Sequence, residues 1–253
     1  MELLLPPEGD VVAEHRATYA SRVLCVLFMV LPGLGLAAMA AQDENLRAPF
    51  SVFAALFLGL GALAIAQQNK TKGVLRADGV ERWGLRGKLW ALRFADMTEL
   101  RYRVVKIRVY HFIPAGTYIY LTFTDPKGSK HKLPANLKAM DVLAERIADQ
   151  QTSARFAEAR ARIDQGDPVT FGKWMTIDKE KLSARKLFGG TKTCPLPEIE
   201  KVFVDNGVLR IRQKGKMFAF ASLMVGSVPN VFLLLRLLSS LLPEQTAARA
   251  SVA

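Results

Sequence analysis

The chain has 253 residues, of which 50% are hydrophobic and 23% are charged, and its formal net charge is +12. This composition excludes global disorder, which requires low hydrophobicity together with a high net charge. Two cysteines, Cys25 and Cys194, are too few for a disulfide scaffold or a four-cysteine metal site. The length allows two small domains, or one domain and a membrane anchor.

Two long apolar runs dominate the N-terminal part of the chain. Residues 23–41 contain no charged residue, and neither do residues 49–68. A helix of about 20 residues rises about 30 Å, the thickness of the hydrocarbon core of a bilayer. Because the link between the runs is short and polar, the sequence predicts a transmembrane helical hairpin over residues 23–68, after an N-terminal tail formed by residues 1–22. Two buried helices of a soluble core are the other interpretation, but such helices normally have a polar face.

Positively charged residues flank this hairpin at its two outer ends. Arg16 and Arg22 precede the first run, Lys70 and Lys72 follow the second, and the link contains a single Arg. Positive residues near the ends of a span favour the cytoplasmic side, so we predict two spans with both termini in the cytoplasm. A cleaved signal peptide is the alternative, because residues 38–40 (Ala-Met-Ala) are similar to a cleavage site. The long acidic stretch before the first run argues against it.

Short strand patterns replace the apolar runs after the hairpin. Alternating and β-branched segments are separated by turns, of which Asp78-Gly79 is the tightest. Residues 137–163 then contain neither Pro nor Gly and carry apolar residues at i, i+4 spacing, which predicts helix. We therefore expect a first β-sheet-plus-helix domain over residues 69–150 and a helical linker over residues 151–168.

A second strand-rich region follows and repeats the order of the first. Its clearest signal is Asn206-Gly207, a dipeptide that favours a tight β-hairpin. We expect a second domain of the same fold over residues 169–242 and a disordered tail over residues 243–253, with chance similarity of two generic β domains as the alternative. The positions that match between the two regions include Val80 with Leu182, Leu100 with Val202, Leu121 with Leu209, and Phe123 with Ile211.

The apolar C-terminal segment, residues 217–243, has the composition of a third span. We predict that it does not cross a membrane, because Pro229 divides it and proline disrupts a helix interior. The stretch before the proline has strand character over residues 216–220. The stretch after it, residues 231–242, is too short to span and is expected to close the second domain as a helix.

Several short motifs in the second half form a set. They are residues 165–172 (QGDPVTFG), 196–199 (LPEI), 206–211 (NGVLRI) and 228–230 (VPN). With the apolar hairpin, they resemble an uncharacterised family of bacterial membrane proteins with tandem pleckstrin-homology-like (PH-like) domains, although Leu196-Pro197 stands where that family often has an aromatic residue. The resemblance implies a membrane-anchored α+β fold, with a two-helix hairpin and two PH-like domains, in the bacterial inner membrane. It implies no catalytic residues.

The sequence contains no recognisable catalytic motif. Nucleophile-elbow, Walker-type and dinucleotide fingerprints do not occur. His15, His111 and His131 have no partner at metal-ligand spacing. Cys25 lies in the first apolar run, and Cys194 lies in a predicted loop. We therefore predict that the protein is not an enzyme and uses no metal and no cofactor.

Candidate binding residues come from an excess of cations in the body of the chain. Residues 69–253 contain 32 Lys and Arg against 17 Asp and Glu, whereas residues 1–68 contain three against six. Cations close to a bilayer attract anionic headgroups, with about 1 kcal/mol for each residue near the surface. A solvated or edge-protecting strand face is the other interpretation. The candidates are Arg101, Arg103, Lys106 and Arg108 on one predicted strand, and Arg210, Arg212, Lys214 and Lys216 around another.

A bulge or a strand break between Val104 and Val105 would place all four cations of the first set on one face. Together these patterns predict a non-enzymatic binding or scaffold protein at the cytoplasmic face of a membrane. Its expected partners are the bilayer, anionic lipid, another protein or a second copy of the chain in a homo-oligomer. A subunit of a membrane enzyme or transporter complex is one alternative. Membrane-tethered nucleic-acid binding is the other, because Tyr118 and Tyr120 lie among the cations, but a tether disfavours it.

Overall fold

The structure, a computed structural model, describes residues 7–42, 47–109, 113–186 and 189–242. Within these residues, two long apolar helical segments lie near the N-terminus, and antiparallel sheets with two further α-helices make up the rest. The predicted α+β class is confirmed at this level. The tail predicted over residues 243–253 falls outside the described residues.

The chain divides into two compact units. One contains residues 6–91 and 136–140, and the other contains residues 92–135 and the chain from residue 141 onward. The first unit therefore combines the apolar helices with the strands that follow them in sequence. The predicted domain boundaries refer to a repeated fold rather than to these units, and they stay predictions.

The predicted hairpin consists of helices throughout its described length. The segments Val23–Gln42 and Arg47–Lys70 are each long and apolar enough to cross a membrane. In order along the chain, the helical elements are α1 (Tyr19–Cys25), a π-helical turn (Val26–Val30), α2 (Leu31–Gln42) and α3 (Arg47–Lys70).

Two glycines allow the two arms of the hairpin to approach each other closely. A Cβ atom on Gly33 would lie 2.9 Å from the side chain of Leu58, and one on Gly61 would lie 3.1 Å from that of Val30. Small residues at such positions are typical of helix pairs that associate within a bilayer. These contacts indicate that the two glycines serve close packing of the helices rather than flexibility.

A strand precedes the hairpin, within the stretch that the sequence predicts as a tail. This strand, β1 (Val11–Arg16), pairs antiparallel with β2 (Lys72–Arg76), which directly follows α3. Arg16 lies opposite Lys72 at the base of the hairpin, and the ammonium of Lys72 lies 3.0 Å from the carboxylate of Glu14. Both ends of the hairpin are therefore fixed in one sheet.

The same sheet continues with two further strands and contains a buried carboxylate. The order is β1-β2-β3-β4, with β3 (Gly79–Gly84) and β4 (Gly87–Arg93). Glu81 is 1% exposed and accepts hydrogen bonds from Arg76 (2.9 Å) and from the indole of Trp83 (3.0 Å). Burial raises the pKa of Glu81, but these hydrogen bonds and the nearby positive charges outweigh it, so the pKa lies below its usual value.

The second unit contains a three-stranded sheet followed by a long helix. Its ladder is regular at Val104 and Val105, and the register shifts between Ile107 and Arg108 instead, so the bulge predicted at Val104-Val105 is wrong. The helix runs without a break through residue 150, where the sequence places a domain boundary. The elements are β5 (Glu99–Val109), β6 (Ile113–Thr124), β7 (Lys130–Lys132) and α4 (Met140–Asp164).

The remainder of this unit has a four-stranded sheet, a three-stranded sheet and a helix, in that order. The sheets run β11-β10-β9-β8 and β12-β13-β14, with antiparallel neighbours throughout. The strands of the first are β8 (Val169–Phe171), β9 (Met175–Ile177), β10 (Lys181–Arg185) and β11 (Thr191–Pro195). The strands of the second are β12 (Ile199–Asp205), β13 (Val208–Gln213) and β14 (Ala221–Met224), and the helix is α5 (Val231–Leu241).

The C-terminal apolar segment forms a strand and a short helix, as expected from its proline. Strand character at residues 216–220 is wrong, because the strand begins at Ala221. Helix α5 has 11 residues, and the ring of Phe232 meets that of Tyr102 edge-on at 5.3 Å. Leu241, at the end of the helix, is partly exposed. The completely buried leucines of α5 are Leu233, Leu234, Leu237 and Leu238.

A buried asparagine joins the start of α5 to strand β5. Asn230 has a left-handed backbone (φ 53°) and accepts hydrogen bonds from the amide of Leu100 (2.7 Å) and the side chain of Gln151 (3.2 Å). Its own amide group donates to the carbonyl of Thr98 (2.9 Å). A largely buried side chain that makes three hydrogen bonds, to the start of β5 and to α4, specifies one docking position for the helix.

We predict that oxidation links cysteines placed at Arg16 and Lys72. Directly opposed residues of antiparallel strands have Cα atoms about 4.5–5.5 Å apart, within the range that a disulfide spans. The full chain in native membranes, with Cys25 replaced by Ser, should yield the linked peptides by mass spectrometry after mild oxidation. Cysteines at Arg16 and Arg76, displaced by about 13 Å along β2, are the control. Equal linkage in the two pairs would contradict the register.

We predict that Asn230→Ala lowers the melting temperature of the full chain in detergent. The free energy of unfolding should fall by about 1–3 kcal/mol for each buried group left without a partner. Asn206→Ala is a matched control, because Asn206 is exposed and also left-handed (φ 49°). It reports the backbone cost together with the loss of one exposed hydrogen bond, from Asn206 to Asp205. Equal shifts for the two variants would show that the buried hydrogen bonds contribute nothing.

Candidate functional site

The first pair of predicted cations lies on the outward face of β5. Arg101 and Arg103 alternate with Leu100 and Tyr102, which are buried. Arg101 is partly exposed and lies 3.0 Å from the carboxylate of Glu99, whereas Arg103 is exposed. Strand alternation thus explains why the two guanidinium groups share one face.

Cross-strand neighbours extend this face beyond the residues that the sequence indicates. Thr122 on β6 lies between Arg101 and Lys132 of β7, and Tyr120 lies opposite Arg103. Lys130 occupies the same face as Lys132, two residues away. We call this surface the tyrosine-cation face, and its members are Arg101, Arg103, Tyr118, Tyr120, Lys130 and Lys132.

The two lysines of the tyrosine-cation face are not among the predicted site residues. The alternation of Lys130, His131 and Lys132 is visible in the sequence, but it does not reveal which strand lies beside β7. The other two predicted cations of β5, Lys106 and Arg108, have side chains outside the described residues.

The second predicted set lies on a different sheet. Arg210 and Arg212 are exposed on β13 and alternate with buried Leu209 and Ile211. Arg212 lies over the ring of Phe203 at 5.6 Å, and Lys201 approaches the same ring at 5.3 Å. Arg210 lies 3.7 Å from Asp205. Two positive charges on one aromatic ring form a cation–π cluster that the sequence does not show.

Lys214 and Lys216 belong to the turn that follows β13, and both are exposed. The amide of Lys214 donates to the carbonyl of Glu198 (2.8 Å), and that of Lys216 donates to the carbonyl of Gln213 (3.2 Å). Gly215 between them has a φ of 68°, which favours glycine. The turn therefore has a defined backbone and presents both ammonium groups to solvent.

A groove of about 630 Å³ lies beside Arg103. Its walls come from β5, the end of β12, the segment after β14 and helix α5, with Phe232 and Leu235 among the apolar lining residues. Gly226 allows the close approach, because a Cβ atom there would lie 3.1 Å from the Cβ of Arg103. The volume is within the range of small-molecule sites, and it combines an apolar wall with one guanidinium group.

The titratable groups that enzymes use most often have structural roles where they are described. Cys194 is completely buried, and burial together with the charge of Glu198 raises the pKa of its thiol, whereas a reactive thiol needs a lowered pKa. His131 contacts the carboxylate of Asp125 at 3.1 Å. That carboxylate also accepts two backbone hydrogen bonds that close the β6–β7 turn. His111 lies outside the described residues.

Among the residues that the structure describes, no three His, Cys, Asp or Glu side chains are grouped to hold a metal ion. His15 contacts the backbone carbonyl of Lys138 at 2.8 Å, an interaction within the N-terminal unit that ties β1 to the segment before α4.

A protein-family model, the family of unknown function DUF6585, matches residues 8–247. The chain belongs to this family. The predicted membership of an uncharacterised family is thereby confirmed, while the PH-like and bacterial parts of that prediction are not addressed by it. The DUF6585 region includes β1, the apolar hairpin and all of the described sheets. No curated protein and no solved structure matches the chain.

Proposed function

We propose that the chain is anchored in a bilayer by the hairpin. The two apolar segments are mostly exposed along their length, with Phe28 and Val52 more than two-thirds exposed. A core helix of a soluble protein buries such side chains, and a continuous apolar surface of this kind is rare on a protein in water. Exposure therefore favours membrane helices over core helices.

The pairing of β1 with β2 supports two spans whose outer ends lie on the same side. Cleavage after residue 40 would remove β1 from its sheet, which argues against a signal peptide. The positive residues at these ends favour the cytoplasmic side of a membrane. We therefore propose that both termini are cytoplasmic and that the membrane is the inner membrane of a bacterium.

We propose further that the sheets form two PH-like domains. A four-stranded sheet, a three-stranded sheet and a helix follow one another twice along the chain. The residues that match in sequence, Leu121 with Leu209 and Phe123 with Ile211, are buried on the central strands β6 and β13. In this scheme the hairpin occupies the connection between the first two strands of the first copy, where the second copy has the turn at residues 172–174.

The function that the geometry supports best is non-enzymatic binding of anionic lipid headgroups by the membrane-tethered body. The tyrosine-cation face carries this proposal, because it places four cations and two exposed tyrosines on one ordered sheet. Each cation near an anionic surface contributes about 1 kcal/mol, and tyrosine favours the membrane–water interface. The cation–π cluster around Phe203 supplies further positive charge. The competing occupant is a protein partner, including a second copy of the chain.

We predict that Arg101→Glu with Arg103→Glu moves the tyrosine-cation face away from lipid headgroups. The full chain is reconstituted in nanodiscs containing phosphatidylglycerol, with a fluorophore on a cysteine at Ser129, beside Lys130. Lipids with a nitroxide on the headgroup should quench this fluorophore, and the reversed charges should reduce the quenching several-fold. The reduction should shrink at high salt, because the Debye length falls from about 10 Å at 0.1 M to about 3 Å at 1 M.

Lys179→Glu with Lys181→Glu is the control, because it makes the same change in net charge at exposed positions on another sheet. An equal loss of quenching in the control would show that the effect arises from net charge and not from the tyrosine-cation face. Unchanged quenching in a folded Arg101→Glu, Arg103→Glu chain would exclude headgroup contact by this face and assign it to a protein partner.

A further inference from the structure

The turn between β13 and β14 exposes two large apolar side chains next to two lysines. Met217 is 91% exposed and Phe218 is 82% exposed, and both follow Lys214 and Lys216 directly. Among the described residues of this unit, these are the two most exposed large hydrophobic side chains. We call residues 214–218 the apolar-cationic tip.

The exposure of the tip is not explained by a loose backbone. Backbone hydrogen bonds close its first half, as described above for Lys214 and Lys216. At its base, Gln213 donates to the carboxylate of Glu198 at 2.6 Å. On the other side, Phe220 is buried, and the ammonium of Lys192 lies over its ring at 4.9 Å. Both ends of the tip are therefore fixed, while its two apolar side chains are almost completely exposed to solvent.

We propose that this tip inserts Met217 and Phe218 into the interfacial region of an anionic bilayer. The proposal rests on the membrane anchoring proposed above. Insertion removes apolar side chains from water, and phenylalanine is among the residues that membrane-surface segments bury at the boundary between headgroups and acyl chains. Lys214 and Lys216 have apolar stems that follow the inserted residues while their ammonium groups remain at the phosphates.

Charge identifies the bilayer, rather than a neutral protein surface, as the occupant of the tip. Residues 212–218 contain three cations and no carboxylate. The adjoining strand contributes Arg212, whose guanidinium group lies on Phe203. In a leaflet, the anionic headgroups lie above the apolar acyl chains. The cations of the tip complement the headgroups, and its apolar end complements the acyl chains. The two parts of the tip therefore match two layers of a single partner.

The test uses the full chain in nanodiscs, with Cys25 replaced by Ser and an environment-sensitive fluorophore on a cysteine at Phe218. Cys194 is completely buried and is left in place. In nanodiscs with phosphatidylglycerol, the emission should shift to the blue, acyl-chain nitroxides should quench it, and aqueous iodide should quench it several-fold less than in detergent. Val142, an exposed apolar residue on α4, provides the matched control position and should stay accessible to iodide.

Lys214→Glu with Lys216→Glu should abolish the blue shift in anionic nanodiscs without changing the melting temperature, because all altered side chains are exposed. A fluorophore at position 218 that remains as accessible to iodide as one at position 142, in a chain that resists alkaline extraction, would overturn the tip proposal alone. Extraction of the unmodified chain from membranes by alkali would overturn the anchoring itself. The two failures are therefore distinguishable.

Discussion

The antiparallel pairing of β1 with β2 is the constraint on which the arrangement of the N-terminal unit depends. It closes the base of the apolar hairpin, so residues on either side of the two long helices lie in one sheet. Long insertions between paired strands are tolerated because the entropy of loop closure rises slowly, by about 0.6 kcal/mol for each doubling of length. A hairpin whose arms already associate through Gly33 and Gly61 reduces this cost further.

Buried polar groups fix the geometry within each unit. In the N-terminal unit, Glu81 connects β2, β3 and β4 through Arg76, Trp83 and Lys88. In the other unit, Asn230 connects α5 to β5 and α4. Such groups are costly to bury without partners, so a strand or helix that slipped by one residue would lose several kcal/mol of hydrogen bonding. Register is therefore specified by few side chains, in addition to the apolar core.

Length and local pattern explain which features the sequence could predict. The apolar runs and the Asn206-Gly207 hairpin depend on neighbouring residues, and the structure contains both. Strand β1 is short and mostly exposed, so its sequence carries little strand pattern, and it forms through a partner more than 50 residues away. The tyrosine-cation face likewise depends on pairing between β5, β6 and β7, which local periodicity does not encode.

The position of the register shift in β5 could not be predicted from the sequence for a related reason. A change in charge alternation at Val104-Val105 favours a bulge there, but the ladder accommodates the shift between Ile107 and Arg108.

Hydropathy fails to predict burial near the other end of the chain, because it averages over neighbouring residues. Residues 217–243 appear as one apolar run, although Met217 and Phe218 are exposed while Leu234 and Leu237 are completely buried. Which apolar side chains of this run are buried is decided by tertiary packing.

The distribution of charge contributes little to stability and is the feature on which the proposed lipid binding depends. Exposed ion pairs such as Arg101–Glu99 and Arg210–Asp205 contribute about 0–1 kcal/mol, so the excess of cations in residues 69–253 adds little to folding. Like charges gathered on one body instead repel one another and raise the free energy of the isolated fold. An anionic surface relieves that repulsion. For a body tethered to a membrane, the encounter with that surface is intramolecular, and even weak contacts then give substantial occupancy. If the chain is anchored as proposed, tethering and weak cationic contacts together would produce reversible docking, which salt or a competing anionic partner would release.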